Sequence, residues 1–416
     1  MKKSFFNILV IFCLTIILGT MFSGCEMHEH TFSEQWTYDA THHWHEATCE
    51  HIEEVKDKAE HSFGTATYEK IDDVWYYVEP CEVCEYAKKT ALANGSVVAI
   101  EKMGYASLND AIENYEGNGE IVMLENINVT SEMTTQGFSA INLTKDVKLN
   151  LNGKTLTRVN AKSLFVITND ATLQINGKTL GSAINGTILA GYSGNDNGNV
   201  VIDGGTYTAT VSNDCEIQTN GTCNNSNITA RNATFNSTDD TFYLAGSGKF
   251  KIDNCTINGY TGIYMKAGDL EIKSSTINAT GNFASPVPNG NGANSTGDGI
   301  ILDSKNGYIG NMILKLDNVS ITSQNGYAIH EALTDVSTSS TVKLTIENNG
   351  TFTSAEGKET IKTSEAFTNA IDGGNAMSEI KSGTYSSAFD EKLLAMGYEL
   401  TESAQGYVVR EINNTL

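Results

Sequence analysis

The sequence predicts an all-β chain, built as a parallel β-helix that follows a small Cys/His-rich N-terminal module. Three observations carry this. A strand–turn–strand pattern recurs seven times between residues 200 and 385. Glycine is abundant (38) while proline is scarce (3), which suits many short strands joined by tight turns. And residues 26–92 hold seven of the eight histidines and all three tryptophans, a composition that stops abruptly near residue 92.

The N-terminus opens with Lys2 and Lys3, then an apolar run from Phe5 to Phe22, then Ser23-Gly24-Cys25. A basic start, an apolar core and small residues before a cut site are the marks of a secretory signal. Ser-Gly-Cys resembles a lipobox, which implies cleavage of residues 1–24 and lipidation of Cys25. The other reading is an uncleaved anchor helix, since such a run is long enough to span a bilayer. Both readings expect a chain held at the cell envelope, facing outside the cytoplasm, with the membrane as its first partner.

Residues 25–92 form the expected module, and it is internally duplicated. His30-Thr31-Phe32 is echoed 31 residues later by His61-Ser62-Phe63, and Trp44 by Trp75. Cys49-x-His51 follows the first tryptophan and Cys81-x-x-Cys84 the second. Cys and His are the ligand types of tetrahedral zinc, so Cys49, His51, Cys81 and Cys84 are expected to form a metal site. A disulfide from Cys49 to Cys81 or Cys84 competes with that reading in an oxidising compartment. Either staple is plausible for a segment with so little apolar core. The module resembles the His/Trp/Cys-rich, zinc-ribbon-like repeats of bacterial surface proteins. The remaining histidines, among them His42, His43 and His45, either extend a metal-binding patch or pack beside Trp36 and Trp44.

Residues 93–416 are the repeat body. Each repeat reads apolar-polar-apolar-polar, a turn residue, a small residue, Thr or Ser, then an apolar residue. The Thr/Ser position falls at 206, 234, 256, 276, 320, 351 and 384. Period-two alternation means strands with one buried face. The turn slot holds Gly204, Asn232, Asn254, Ser274, Asn318, Asn348 and Ser382, mostly types that tolerate a left-handed backbone. A further strand recurs between repeats, as in Phe242-Tyr243-Leu244 and Gly262-Ile263-Tyr264-Met265. Three short strands per coil is solenoid arithmetic, and coils of 20-odd residues give about a dozen. Ser107 is placed to cap a short helix closing the open apolar end, and residues 382–410 to close the other.

The Asn-bearing bends and the stacked Thr and small-residue positions over 97–410 resemble the pectate-lyase-like right-handed parallel β-helix superfamily. That resemblance implies a right-handed solenoid and raises the question of activity on acidic polysaccharides. The lyase-type base is represented only by Arg231 in a turn slot. The galacturonase-type Gly-His-Gly is missing: the one histidine of the body is His330, in Ile329-His330-Glu331. Asp239, Asp240, Asp298 and Asp303 are expected to be solubilising charges, and the chain is expected not to cut pectin.

Cys215 and Cys223 flank an insertion and are expected to form a local disulfide. Cys255 takes a small inward position and is expected to be a buried thiol. The insertion around 280–297, with Pro286, Pro288, Asn289 and the adjacent Asp298, is the expected binding loop. A net charge of −23 disfavours nucleic acid. The expected function is therefore a displayed, non-enzymatic adhesion or ligand-binding protein whose partner is an extracellular glycan or a host or matrix protein. A carbohydrate-active or glycan-binding role and a metal-binding role are the alternatives.

Overall fold

The computed structural model describes residues 29–135, 139–158, 163–194, 196–209, 215–282, 287–288, 294–304, 310–333 and 342–412. The chain divides into two compact units, the first ending at Ala91 and the second beginning at Leu92. Among the described residues no helix is long and apolar enough to cross a membrane.

The first unit contains two three-stranded antiparallel sheets. One joins Thr37–Tyr38, His42–Glu46 and Val55–Glu60; the other joins Thr67–Ile71, Val74–Pro80 and Ala87–Ala91. The duplication seen in the sequence is physical. Phe32 bridges to Ala47 in the first half and Phe63 to Cys81 in the second. Trp44 carries the Lys58 ammonium over its ring and Trp75 that of Lys70. The second hairpin turns on Asp72-Asp73, both with positive φ (46° and 67°), the backbone of a two-residue turn matched to strand twist.

The second unit is a right-handed parallel β-helix of three long sheets. Each coil runs through the three in turn. In the first sheet, ten strands from Ile121–Met123 to Ala376–Ile380 stack in parallel, preceded by an antiparallel pair, Val98–Ile100 and Met103–Tyr105. Ten coils is fewer than the dozen expected, because residues 98–105 serve as a cap and several coils carry insertions. The bend into the second sheet uses left-handed residues where the pattern placed them: Gly204, Asn232, Asn254, Ser274 and Asn318 all have positive φ. Asn348 does not take this conformation, and in the last coil it is Gly383, not Ser382, that does.

Register follows from these bends. Thr206, Thr234, Thr256, Thr276, Ser320, Thr351 and Thr384 pair one above the next in the second sheet. The residue after each points inward, giving a buried column of Tyr207, Phe235, Ile257, Ile277, Ile321, Phe352 and Tyr385. Outside, Asn258 donates to Asn236 at 3.0 Å and Asn278 to Asn258 at 2.9 Å, so the strand asparagines two residues after each Thr form a ladder of their own. The third sheet stacks Phe242, Ile263, Ile300, Ile329 and Ile361 in the same way.

Both ends are covered. Ser107 accepts from the Asp110 amide and caps the helix Leu108–Glu113, which buries Leu108 and Ala111. At the far end, Ser364 caps Glu365–Asp372, which buries Phe367 and Ala370. The hairpin Tyr398–Ser403/Gly406–Glu411 then adds antiparallel strands to the second sheet. Terminal repeats need such covers because their apolar faces have no neighbouring coil.

Candidate metal centre

In the first unit the strands deliver ligands to one point. His43 comes from His42–Glu46, His61 follows Val55–Glu60, and Cys81 and Cys84 lie in the turn between Val74–Pro80 and Ala87–Ala91. The donor atoms of all four lie within 4.8 Å of one another. His43 Nδ1 is 3.5 Å from His61 Nδ1 and 3.9 Å from Cys81 Sγ, and Cys84 Sγ is 3.6 Å from His61 Nδ1. Zinc bonds of about 2.3 Å to sulfur and 2.0–2.1 Å to nitrogen, at tetrahedral angles, put ligand atoms roughly 3.3–3.8 Å apart. The quartet fits a metal ion.

The surroundings favour that use. His61 Nε2 lies 2.9 Å from the Asp39 carbonyl, which can only accept, so Nε2 carries the proton and Nδ1 turns its lone pair to the centre. The Val83 amide donates to Cys81 Sγ. The His43 ring stands edge-on to Trp36 and the His61 ring stacks on Tyr86, which fixes both planes. Burial works to raise the Cys81 thiol. The Cys84 and Val83 amides, with His61 and Cys84, outweigh it and bring Cys81 down to about 6. The Cys84 thiol moves up instead, through burial and then the neighbouring Cys81 sulfur.

The four residues singled out in the sequence do not share one point. Cys81 and Cys84 join His43 and His61, whereas Cys49 and His51 gather with His30. The sequence reading paired equivalent positions of the two half-repeats. The structure instead keeps Cys49 and His51 with His30 of their own half-repeat, and joins Cys81 and Cys84 to His61 of theirs and to His43 of the first. The His30/His61 echo was the available signal for two of the missed ligands; for His43 there was none beyond its residue type. Neither Cys49–Cys81 nor Cys49–Cys84 is bonded.

The Cys215–Cys223 disulfide is not formed either. The strand Ile217–Thr219 runs between the two and carries them apart. Cys215 packs among Tyr243, Ala245, Tyr264 and Ile301, while Cys223 Sγ faces the Asp196 carbonyl beside Gly191. Cys255 is buried, with its amide donating to Ser275 Oγ. Cys25, Pro286 and Asn289 lie outside the described residues; Pro288 is described only by backbone, paired with Asn294.

The aspartates expected to be solvated are buried. Asp239, Asp240, Asp298 and Asp303 are 2, 0, 2 and 6 % exposed. Ser295, from the end of the 280–297 insertion, donates to Asp239 and, at 3.4 Å, to Asp240. Tyr264 donates to Asp303. Asp298 accepts from the Tyr327 amide at 2.8 Å and meets His330 Nδ1 at 2.7 Å. Burial, then the Asp239 charge, pushes the Asp240 carboxyl well above the usual range. The insertion thus converts what looked like edge charges into an enclosed acidic seam.

Compared with models of known families, with curated proteins and with solved structures, the chain matches none.

Proposed function

We propose that this chain is a lipid-anchored display protein. A zinc-stapled module follows the anchor, and a β-helix of the pectate-lyase-like class presents its ladders and loops to an extracellular glycan or protein. The observation that carries this reading is the quartet His43, His61, Cys81 and Cys84 in a unit with almost no apolar interior. Such a unit is built to be held by a metal and is suited to an extracytoplasmic linker. The Ser23-Gly24-Cys25 sequence supplies the anchor. The test is labelling of cells with an alkyne fatty acid, followed by protease shaving. The expected result is a labelled, surface-cleavable chain whose label is lost in Cys25→Ala. An unlabelled chain resistant to shaving overturns the reading.

A second reading has one observation in its favour. The Asp298–His330 contact beside Asp240, whose carboxyl is pushed above its usual range by burial and the Asp239 charge, is the kind of paired titratable environment that acid–base chemistry uses. Release of reducing or unsaturated ends from an acidic glycan, lost in Asp298→Ala, would establish a carbohydrate-active enzyme. No release leaves display as the function.

A further inference from the structure

The second ligand group of the small unit has a different character from the first. His30 and Cys49 are half-buried and His51 is exposed, with Cys49 Sγ 3.6 Å from His30 Nδ1 and the two imidazoles edge-on at 5.2 Å. Their donor atoms lie within the same 4.8 Å limit as the quartet. The set is a histidine at the start of the half-repeat and two soft ligands after its tryptophan, the arrangement of His61, Cys81 and Cys84. What differs is the fourth ligand. The second half-repeat borrows His43 from the first. At the matching offset of 31 the second half-repeat has Val74, which has no donor to lend in return. Among the described residues no further His, Cys, Asp or Glu joins the triad.

We propose that His30, Cys49 and His51 form a second zinc site, more open to solvent than the quartet. Two imidazoles and one thiolate are a donor set suited to Zn²⁺. Solvent reaches His51, so this ion exchanges more readily than one held by the largely buried quartet. The small unit thereby carries one zinc that shapes it and one that it can give up.

The inference extends the zinc reading of the quartet, and one set of experiments separates the two. The purified full chain is saturated with Zn²⁺ and its metal content is measured before and after dialysis against a weak chelator. Two equivalents are expected, of which one leaves at least about tenfold faster than the other. Cys49→Ser and His51→Ala should each bind one equivalent, the slow one, with unchanged tryptophan emission. Cobalt loading gives a second readout: His51→Ala should lose the weaker one-thiolate charge-transfer band and retain the two-thiolate band. One equivalent in the parent chain, unaltered by Cys49→Ser, overturns the second site and leaves the quartet standing. One equivalent that is lost in Cys49→Ser but kept in Cys81→Ser overturns the quartet and leaves the second site standing.

Discussion

The two units of this chain are both built from repeats, yet they reach stability by opposite routes. In the first unit the only buried apolar residues are Val78 and Cys81 among those described. In the second, one apolar cluster runs unbroken from Val98 to Val409. Two half-repeats cannot bury a face against each other as ten coils can, because each coil of a solenoid is covered by its neighbours and only the ends need caps. The small unit has no such stacking. Of the strand residues in its sheets only His43 and Val78 are buried, and the strand Val55–Glu60 is exposed at every position. On the zinc-stapled reading, ligand chemistry holds it together, whereas the β-helix is held by its apolar cluster.

That contrast is broken most forcefully by removing metal. Structural zinc contributes about 10–16 kcal/mol to the folding of small metal-bound domains at neutral pH. A strong chelator, or Cys81→Ser, should therefore unfold the first unit outright. Trp36, Trp44 and Trp75 are the only tryptophans of the chain, so tryptophan emission reports on this unit alone. Emission should shift to the red on chelation while the strand signal of the β-helix in circular dichroism stays and melts at an unchanged temperature. Unshifted emission would mean that the unit is held by something other than the quartet.

The reciprocal experiment empties the solenoid core. Phe250 is 1 % exposed and is sandwiched in register between Ile228 and Leu270 of the adjoining coils. Truncation of a buried phenylalanine costs about 3–5 kcal/mol, part transfer and part cavity. Phe250→Ala should lower the β-helix melting temperature and leave tryptophan emission and zinc content alone. A change in either would show that the two units do not fold independently.

Asp240 sharpens the comparison from the electrostatic side. Its carboxyl is wholly buried, and Oδ2 has no hydrogen-bond partner among the described residues. Its folded pKa lies well above the ordinary 3.8, so the folded chain keeps a proton that the unfolded chain sheds. Stability linked to this group is full below the unfolded value and declines as pH rises above about 4 toward the folded value. Asp240→Asn removes that decline. The variant should gain at neutral pH the linkage it removes, about 1.4 kcal/mol for each pKa unit between the unfolded and folded values. The gain should vanish near pH 3. A variant that is instead destabilised at pH 7 would show that the seam needs the ionised carboxylate.

The solenoid was legible in the sequence because its signals are local. Period-two alternation, a left-handed residue and, two positions on, a Thr or Ser recur within eight residues, so Thr234 and Thr256 could be stacked without any structure. The metal quartet was only half legible. Cys81-x-x-Cys84 is local, but His43 reaches it from the other half-repeat, across the fold of two hairpins, and no spacing rule encodes that distance. The acidic seam was misread for a similar reason. Asp239 and Asp240 look like solubilising edge charges until Ser295, 55 residues downstream of Asp240, is brought over them. Cys215 and Cys223 misled in the opposite direction: closeness along the chain suggested a bridge, and the intervening strand holds them apart.

The smallest expected effect tests whether the side-chain bond between the bend asparagines Asn254 and Asn232 adds to what their backbone conformation already provides. Asn254 sits at φ 50° and its Nδ2 donates to Asn232 Oδ1 at 2.8 Å. Two substitutions separate these contributions. Asn254→Gly keeps a residue at ease in the left-handed region and loses only that bond, so it should cost about 0.5–1.5 kcal/mol. Asn254→Ala loses the same bond but keeps a Cβ in the left-handed region without the polar side chain that lets asparagine tolerate it, so it should cost about 1–2 kcal/mol more than the glycine variant. Equal melting temperatures for the two variants would mean that the bend relaxes around alanine and that backbone conformation is not what sets the register. A glycine variant as stable as the parent would mean that the side-chain bond decorates the solenoid without holding it. The stacked apolar column inside would then account for all of the difference between the two units.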